Sequence, residues 1–421
     1  MRAEILGSFI AEVGYKRVMS TQDPPRFRRA IAGKDMAVLC FVTIVFLILN
    51  HAGSLVAAAA AAIGGLFGIF GHRLPHPRSW PVPVWIGLVF LLWCGLSSVW
   101  SPYDSPRDIP GVARFCLGVP LYGLLIFVMM RQPENNGRIL RLIIMSLIPL
   151  SAFVFAVDFV TDFAIFRLAD PGAIDGDIIK NLSHGLSVLL MCLPPAIFFF
   201  ARHGRGGVMI AASVYILALI AAANSGNAAA ILAVPTLAVM MFAAFRFPAK
   251  AIRIALIAPI AVILLAPIIS IIASETSQAT KDALPFSWEW RAETWGYLAQ
   301  KIADNPLAGN GFDSLRTMKD TFDARGFEGL SLVPLHAHNF GLQIWVEVGL
   351  VGAILAALFL WEAAGALIRS AWLTPRRASA LCGTLAAAVI FSSLSYSAWQ
   401  DWWWGAIAFA LSFSVLIPDD A

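Results

Sequence analysis

Residues 252–273 read IRIALIAPIAVILLAPIISIIA, a continuous apolar run whose single charge is Arg253. About 20 mostly apolar residues are enough for a helix to cross the hydrocarbon core of a bilayer. Eleven further segments are comparably apolar, at 36–50, 52–70, 82–100, 113–130, 139–159, 182–201, 208–223, 227–245, 340–369, 378–396 and 402–417. The sequence therefore predicts an all-α polytopic membrane protein with about 12 transmembrane helices.

The composition excludes an ordinary soluble protein. Hydrophobic residues make up 59% of the 421-residue chain and charged residues 13%, with a mean hydropathy of +0.76. A soluble domain carries about 25% charged residues. The 14 Trp and 29 Phe fit the aromatic belts of a membrane protein. The five cysteines lie in apolar runs without metal-ligand or redox spacing, so no disulfide framework is expected.

Charge placement predicts the topology. With a cytoplasmic N-terminus, most Lys and Arg fall in the inner segments, as the positive-inside rule requires. The predicted organisation is a basic cytoplasmic arm at 1–35, helices 1–9 within 36–273, a large outer loop at 274–339, helices 10–12 within 340–417 and a cytoplasmic tail at 418–421. The first two segments are separated by His51 alone, so a re-entrant pair remains an alternative to two spans.

The outer loop has structure of its own in the sequence. Trp295, Leu298 and Ile302 share one face of a helix, which predicts an amphipathic helix over Trp290–Ala303. The charged stretch Ser314–Arg325, which ends before a glycine, is interpreted as a second helix.

Polar side chains concentrate at the outer ends of the predicted spans. His336 and His338 close the long loop, Arg291 lies in its first helix, and Lys180 precedes span six. Few ionisable residues lie inside the spans, Glu347 being one, which disfavours a proton-coupled transporter. Interfacial anchoring, helix capping and solvated helix faces are the alternative explanations for individual residues of this set.

Together, these residues fit chemistry on a phosphorylated lipid. The dipole at a helix N-terminus lowers the pKa of a histidine such as His338, so the ring stays neutral and can accept a proton. The planar guanidinium of Arg291 matches phosphate oxygens. A metal site at His336 and His338 is not expected, because residues two apart on a helix point about 200° apart.

The same region resembles the O-antigen ligase superfamily of bacterial inner-membrane glycosyltransferases, which also contains O-antigen polymerases and protein O-oligosaccharyltransferases. The matching motifs are Arg291 with Trp295, Asn305-Pro306-Leu307-Ala308-Gly309-Asn310-Gly311, His336-Ala337-His338-Asn339 and Glu347-Val348-Gly349-Leu350-Val351-Gly352. Twelve spans and a large loop between helices 9 and 10 extend the resemblance, more loosely, to the whole chain.

The resemblance is closest to the ligase subfamily. It implies transfer of undecaprenyl-diphosphate-linked O-antigen onto lipid A–core, at the periplasmic face of a Gram-negative inner membrane. It also implies membrane lipids as partners, no nucleic acid, and neither cofactor nor metal. The implied catalytic residues are His338, as general base with inversion at the anomeric carbon, and Arg291, on the diphosphate. The candidate substrate-binding residues are Lys180, Asn181, His184, Arg316, Arg325, His336, Asn339 and Trp295.

One departure from the family pattern concerns a second cation. Many members carry Ser-Arg between spans seven and eight, whereas Ser225 is followed here by Gly226. Lys180, Arg316 or Arg325 could replace that arginine.

Four alternatives remain open at this point. An O-antigen polymerase or a protein O-oligosaccharyltransferase would use the same donor with another acceptor. A flippase or transporter would move substrate without forming a bond, and a structural scaffold would do neither.

Overall fold

The structure is a computed structural model that describes residues 34–53, 56–72, 74–104 and 110–418. Helices account for 78% of it, which confirms the all-α polytopic fold. The predicted basic arm at 1–35 and tail at 418–421 lie almost wholly outside the described residues.

The bundle is built from helices that follow one another through short connections. They are α1 (Lys34–Leu49), α2 (Val56–Gly71), α3 (Val82–Ser97), α4 (Gly111–Met130), α5 (Glu134–Val160), the short α6 (Ala164–Ala169), α7 (Asp175–Ala201), α8 (Gly204–Asn224), α9 (Ala228–Arg246), α10 (Pro248–Glu275), α11 (Gln278–Asp282), α12 (Phe286–Asp304), α13 (Phe340–Ile368), α14 (Pro375–Leu394) and α15 (Asp401–Val415). A two-stranded hairpin, β1 (Thr321–Ala324) and β2 (Phe327–Ser331), follows α12.

Each predicted span coincides with one of these helices. Nine helices among the described residues are long and apolar enough to cross a membrane, whereas α2 and α3 are shorter apolar helices. The membrane fold is therefore confirmed, and the number of twelve spans stays a prediction.

Helices α7 and α14 form the centre of the bundle. The apolar window of α7 is 78% buried and that of α14 67% buried. Polar side chains hold α14 to its neighbours through their backbones: the Thr384 hydroxyl donates to the Met191 carbonyl (2.9 Å) and the Ser379 hydroxyl to the Met241 carbonyl (2.7 Å). Such bonds satisfy polar groups where no water reaches them.

The segment between α10 and α13 is the predicted outer loop, and the predicted amphipathic helix is confirmed as part of α12. Leu298 and Ile302 are buried against α13, and Trp295 is half-buried. The helix starts after Pro285, four residues earlier than the hydrophobic spacing indicated.

The second predicted loop helix, Ser314–Arg325, is wrong. A single 3-10 turn at Ser314–Thr317 is followed by the β1–β2 hairpin, with Thr321 paired to Ser331. The turn residues Arg325 and Gly326 both have positive φ, +53° and +79°. Two consecutive positive φ angles match the twist of a hairpin and are incompatible with a continuing helix.

Helix α13 is broken at Gly349, where φ is +64° and ψ is −166°. The backbone of Pro306–Gly311 lies in the break. Gly311 N–H donates to the Glu347 carbonyl (2.9 Å), and Leu350 N–H donates to the Pro306 carbonyl (2.9 Å). The loop thus takes up the hydrogen-bonding groups that the break leaves without helical partners, which is the condition for irregular backbone inside a membrane bundle.

Glu347, two residues before the break, is fully buried. Its carboxylate accepts from the backbone N–H groups of Asp313 (3.0 Å) and Leu315 (3.1 Å) and from the indole N–H of Trp399. This acid therefore ties both the outer loop and the α14–α15 connection to α13, which gives it a structural role rather than a place in a proton pathway.

Substitution of Gly349 should disrupt this junction. A Cβ there would lie 2.4 Å from the Leu307 carbonyl oxygen and 2.5 Å from the Gly309 nitrogen, and only glycine readily adopts these dihedral angles. We expect Gly349→Ala to destabilise the protein by about 3 kcal/mol, measured as a lower Tm in detergent. Gly123→Ala is the matched control, since a Cβ there meets nothing within 4 Å. Equal Tm values for the two variants would contradict the role assigned to the break.

Candidate active site

His338 lies in the loop immediately before α13, at the end of the bundle where that helix begins. Its backbone is left-handed, with φ of +51°, and the next residue, Asn339, caps α13 by accepting from Leu342 N–H (3.1 Å). The cap fixes where the helix starts, and the left-handed residue turns the chain sharply into it. Helix capping, the alternative explanation for polar residues at the ends of the spans, thus applies to Asn339, and its predicted role in substrate binding stays a prediction.

The ring of His338 is held in one tautomer. Its Nδ1 lies 3.0 Å from the carbonyl oxygen of Ser395, in the connection after α14. A carbonyl can only accept, so Nδ1 carries the proton and Nε2 of the neutral ring is left as an acceptor. The half-buried His338 therefore offers Nε2 as a proton acceptor at this end of the bundle.

His336 contacts both the backbone and the ring of His338. Its Nδ1 accepts from the His338 backbone N–H (3.2 Å), and the two ring centroids are 4.3 Å apart. The expectation that the two rings point apart is wrong, because residues 336–339 are not helical. Among the described residues no group of three or more His, Cys, Asp or Glu side chains could hold a metal.

Burial sets the charge state of both rings. Burial first, and then the positive charge of Arg291, lowers the pKa of His338 to about 4, although its bond to Ser395 opposes the shift. Burial, followed by the neighbouring His338 and Arg316, holds the pKa of His336 well below its ordinary value. Both rings are therefore neutral at physiological pH.

Arg291 lies on α12, and its guanidinium faces the connection after α14 that also holds His338. One terminal nitrogen donates to the Leu394 carbonyl (2.9 Å) and the other to the Ser287 carbonyl (2.7 Å), while Nε is buried without a hydrogen-bond partner. No carboxylate among the described residues forms an ion pair with it. Burial lowers the pKa of Arg291, yet a guanidinium remains charged. Among the residues that the structure describes, this positive charge is therefore not matched by a carboxylate.

Trp295 joins α12 to the histidine segment, residues 336–339. Its indole N–H donates to the Ala337 carbonyl (2.9 Å). Because residues four apart lie on one helix face, α12 presents Arg291 and Trp295 to the same junction.

The connection between α14 and α15 supplies contacts that the sequence did not indicate. The carbonyls of Leu394 and Ser395 receive Arg291 and His338. The connection is held in turn from α13, where the Gln343 side chain accepts from Ala398 N–H (2.9 Å). Backbone acceptors carry no sequence signature, so these partners could not be found without the fold.

His184, a predicted binding residue, lies next to this connection. Its ring packs against Tyr396 and Trp402, with centroids 5.4 and 4.7 Å away. Asn181 lies one turn earlier against Gly53. Lys180 is exposed and forms no ion pair with a described residue.

The other two candidate cations, Arg316 and Arg325, have different partners. Arg316 pairs with Asp313 (3.0 Å) and is close enough to influence His336 electrostatically. Arg325 instead pairs with the buried Glu289 (2.7 Å) and also donates to the Leu284 carbonyl, which fastens the hairpin to α12. These contacts give Arg325 a structural role between the hairpin and α12.

The neutral state of His338 makes stability depend on pH. An unfolded chain protonates this histidine near pH 6.5, whereas the folded ring resists protonation down to about pH 4. Stability contributed by the neutral ring is thus complete above pH 6.5 and is lost as the pH falls towards 4. We expect His338→Gln to reduce the fall in Tm between pH 7.5 and 5, whereas His203→Gln, at an exposed histidine, should leave the fall unchanged. An identical fall in wild type and His338→Gln would contradict the neutral ring.

Comparison with known proteins bears on this region. A family model described as O-Antigen ligase matches residues 211–357, a range that includes α12, the histidine segment and the broken helix α13. The match also covers α9, α10, α11 and most of α8, it ends within α13 at residue 357, and α1–α7, α14 and α15 lie outside it.

Curated relatives agree with it. A Rickettsia typhi protein named "Putative polysaccharide ligase" is 34% identical over 113 residues, which is 26% of this chain and 27% of the relative. Proteins of the same name from Rickettsia bellii and Rickettsia prowazekii are 34% and 33% identical over equal spans. The chain thus spans about a quarter of the length of the curated relatives it matches. The resemblance found in the sequence motifs is confirmed over part of the chain, where residues 211–357 are similar to O-antigen ligases and a 113-residue stretch is similar to polysaccharide ligases.

Proposed function

We propose that the protein is an O-antigen ligase, an inverting glycosyltransferase that moves O-antigen polysaccharide from undecaprenyl diphosphate onto lipid A–core. One observation carries the proposal. His338, a neutral histidine whose Nε2 has no partner among the described residues, and Arg291, which lacks an acidic partner among them, are both anchored on the connection between α14 and α15. A base for a hydroxyl and a cation for a phosphate are the two groups that this transfer needs.

The reaction follows from the two groups. Nε2 of His338 takes the proton of an acceptor sugar hydroxyl, and that oxygen attacks the anomeric carbon of the donor. The bond from this carbon to the diphosphate oxygen breaks, and undecaprenyl diphosphate leaves with the electron pair. A ring with a pKa near 4 is a weak base alone, but the bound diphosphate would offset Arg291 and raise the pKa of His338.

Arg291 is the first diphosphate ligand in this scheme. Its buried Nε and its position on a rigid helix suit a fixed anion site. Lys180 is the second cation that we propose, because Arg316 and Arg325 are each engaged by a carboxylate whereas Lys180 is exposed and unpaired among the described residues. These cations supply the charge that the leaving group requires, so the proposed reaction uses no metal.

The proposed location is the inner membrane of a Gram-negative bacterium, with both termini in the cytoplasm and His338 on the periplasmic face. The distribution of Lys and Arg along the chain supports this orientation. Apolar helices that surround the site would keep the lipid tails of donor and acceptor in the bilayer, while their sugars meet at the membrane surface beside His338.

Removal of the base tests the proposal. In a ligase-deficient Gram-negative strain, wild type should restore a polysaccharide-capped lipopolysaccharide ladder on a gel. His338→Ala should reduce capping by about 100-fold or more, while undecaprenyl-linked polymer accumulates. Arg291→Lys keeps the charge but loses the planar fork and should be intermediate. Lys319→Ala, at an exposed cation of the same loop, is the control and should act as wild type.

Failure of wild type to restore the ladder would reject the ligase function, and rescue of a polymerase-deficient strain would then assign the protein to polymerases. Full capping by His338→Ala, at equal protein level in the membrane, would reject His338 as the base.

The stereochemistry of the product is a separate test. A single displacement places the new bond on the face opposite the leaving group, so the anomeric configuration should invert. Nuclear magnetic resonance of the linkage formed from a donor of known configuration measures this directly. Retention of configuration would exclude direct attack by the acceptor.

A further inference from the structure

The face of α12 that carries Arg291 continues one turn further along the helix, to Trp288. Residues three and four apart lie on one side of a helix, so Trp288, Arg291 and Trp295 form a row along α12. The Arg291 guanidinium lies over the Trp288 ring, 5.4 Å from the ring centroid. Trp288 is therefore in contact with the cation that we propose as the diphosphate ligand, although the sequence motifs did not mark it.

Trp288 differs from the other two tryptophans of α12. The indole N–H of Trp290 donates to the Ser331 carbonyl (2.9 Å), and that of Trp295 donates to the Ala337 carbonyl (2.9 Å). Among the described residues the indole N–H of Trp288 has no acceptor, its ring pairs with no other aromatic ring, and it belongs to none of the buried apolar clusters. The half-buried indole of Trp288 is therefore not held in the way that the other two are.

Helix α12 runs outward from the interior of the bundle towards its own N-terminus. Near its C-terminus, Ile302 belongs to one buried cluster with Val346, which lies about two turns into α13. Trp295 instead contacts Ala337, which precedes α13. Trp288 lies a further seven residues towards the N-terminus of α12, about 10 Å along the helix axis. Trp288 is thus at the outer end of the row.

This position determines which part of the donor Trp288 meets. In the proposed reaction the polyprenyl chain of the donor lies beside the apolar helices, and its diphosphate is bound by Arg291. The glycan is the part of the donor that continues past Arg291, away from the hydrocarbon core. A sugar ring suits an indole, because its C–H groups lie against the negative face of the aromatic ring while a hydroxyl oxygen accepts from the indole N–H.

We infer that Trp288 is a specificity residue for the donor, and that its indole binds a sugar ring of the glycan close to the diphosphate. The inference rests on the proposed function, because it takes the diphosphate to be bound at Arg291. The sugar contact strengthens binding of the glycosylated donor and is absent from undecaprenyl diphosphate, the product that is left after transfer. Trp288 thus favours substrate over product at a cation that both share.

Binding of two probes to the purified full chain in detergent tests the inference. The probes are an undecaprenyl diphosphate-linked oligosaccharide and undecaprenyl diphosphate itself, and the Kd of each is measured. Trp288→Leu should weaken binding of the glycosylated probe about tenfold, the effect of losing one aromatic stacking contact. Binding of undecaprenyl diphosphate should not change, because the carbonyls of Ser287 and Leu394 still hold Arg291. Trp288→Phe keeps a flat ring and should retain most of the affinity for the glycosylated probe.

Trp361→Leu is the matched control. Trp361 is an exposed tryptophan of α13, about six turns from the start of that helix. Its substitution should leave the Kd of both probes as in wild type.

Four outcomes would overturn the inference. Equal weakening of both probes by Trp288→Leu would mean that the indole only orients Arg291. Unchanged binding of both probes would make Trp288 an interfacial anchor. Wild type decides the matter if the variant fails to fold, since equal Kd values of wild type for the two probes would show that the sugar adds nothing. Failure of wild type to bind either probe would reject the proposed function itself, and the inference with it.

Discussion

The break in α13 at Gly349 is the constraint on which the segment between α10 and α13 and the candidate site depend. Inside a membrane bundle an open turn of helix exposes carbonyl and N–H groups that lipid cannot satisfy. Here the backbone of Pro306–Gly311 satisfies them. A long loop that could have moved freely over the bundle is thereby fastened to its interior, and α12, which ends just before this segment, is fastened with it.

The site inherits its geometry from this junction. Gln343 and Glu347 of α13 hold the α14–α15 connection from one side, and α12 meets it from the other through Arg291. His338 is anchored on the same connection. Three elements that are distant in sequence thus converge on the α14–α15 connection, and the positions of His338 and Arg291 are set by packing rather than by their own flexible side chains.

The sequence predicted the parts of the structure that hydrophobicity governs. All twelve apolar segments are helices, and Leu298 and Ile302 marked the buried face of α12. It failed at Ser314–Arg325, where a charged stretch that ends before a glycine was interpreted as a helix but has two positive φ angles, at Arg325 and Gly326. It also missed the acceptors of Arg291 and His338, since these are main-chain carbonyls. His338 and Arg291 were predicted as site residues because motif resemblance marks side chains, and their roles remain a prediction.

The broken helix has a consequence for biosynthesis. The chain emerges N-terminus first, so the Pro306–Gly311 segment is made before the carbonyls of Val346 and Glu347 that receive it. Until α13 enters the bilayer the loop has nowhere to dock. Until the loop docks, α13 is two half-helices with unsatisfied backbone between them. The two must assemble in a single step, which makes the docking of this loop a late and cooperative event in folding.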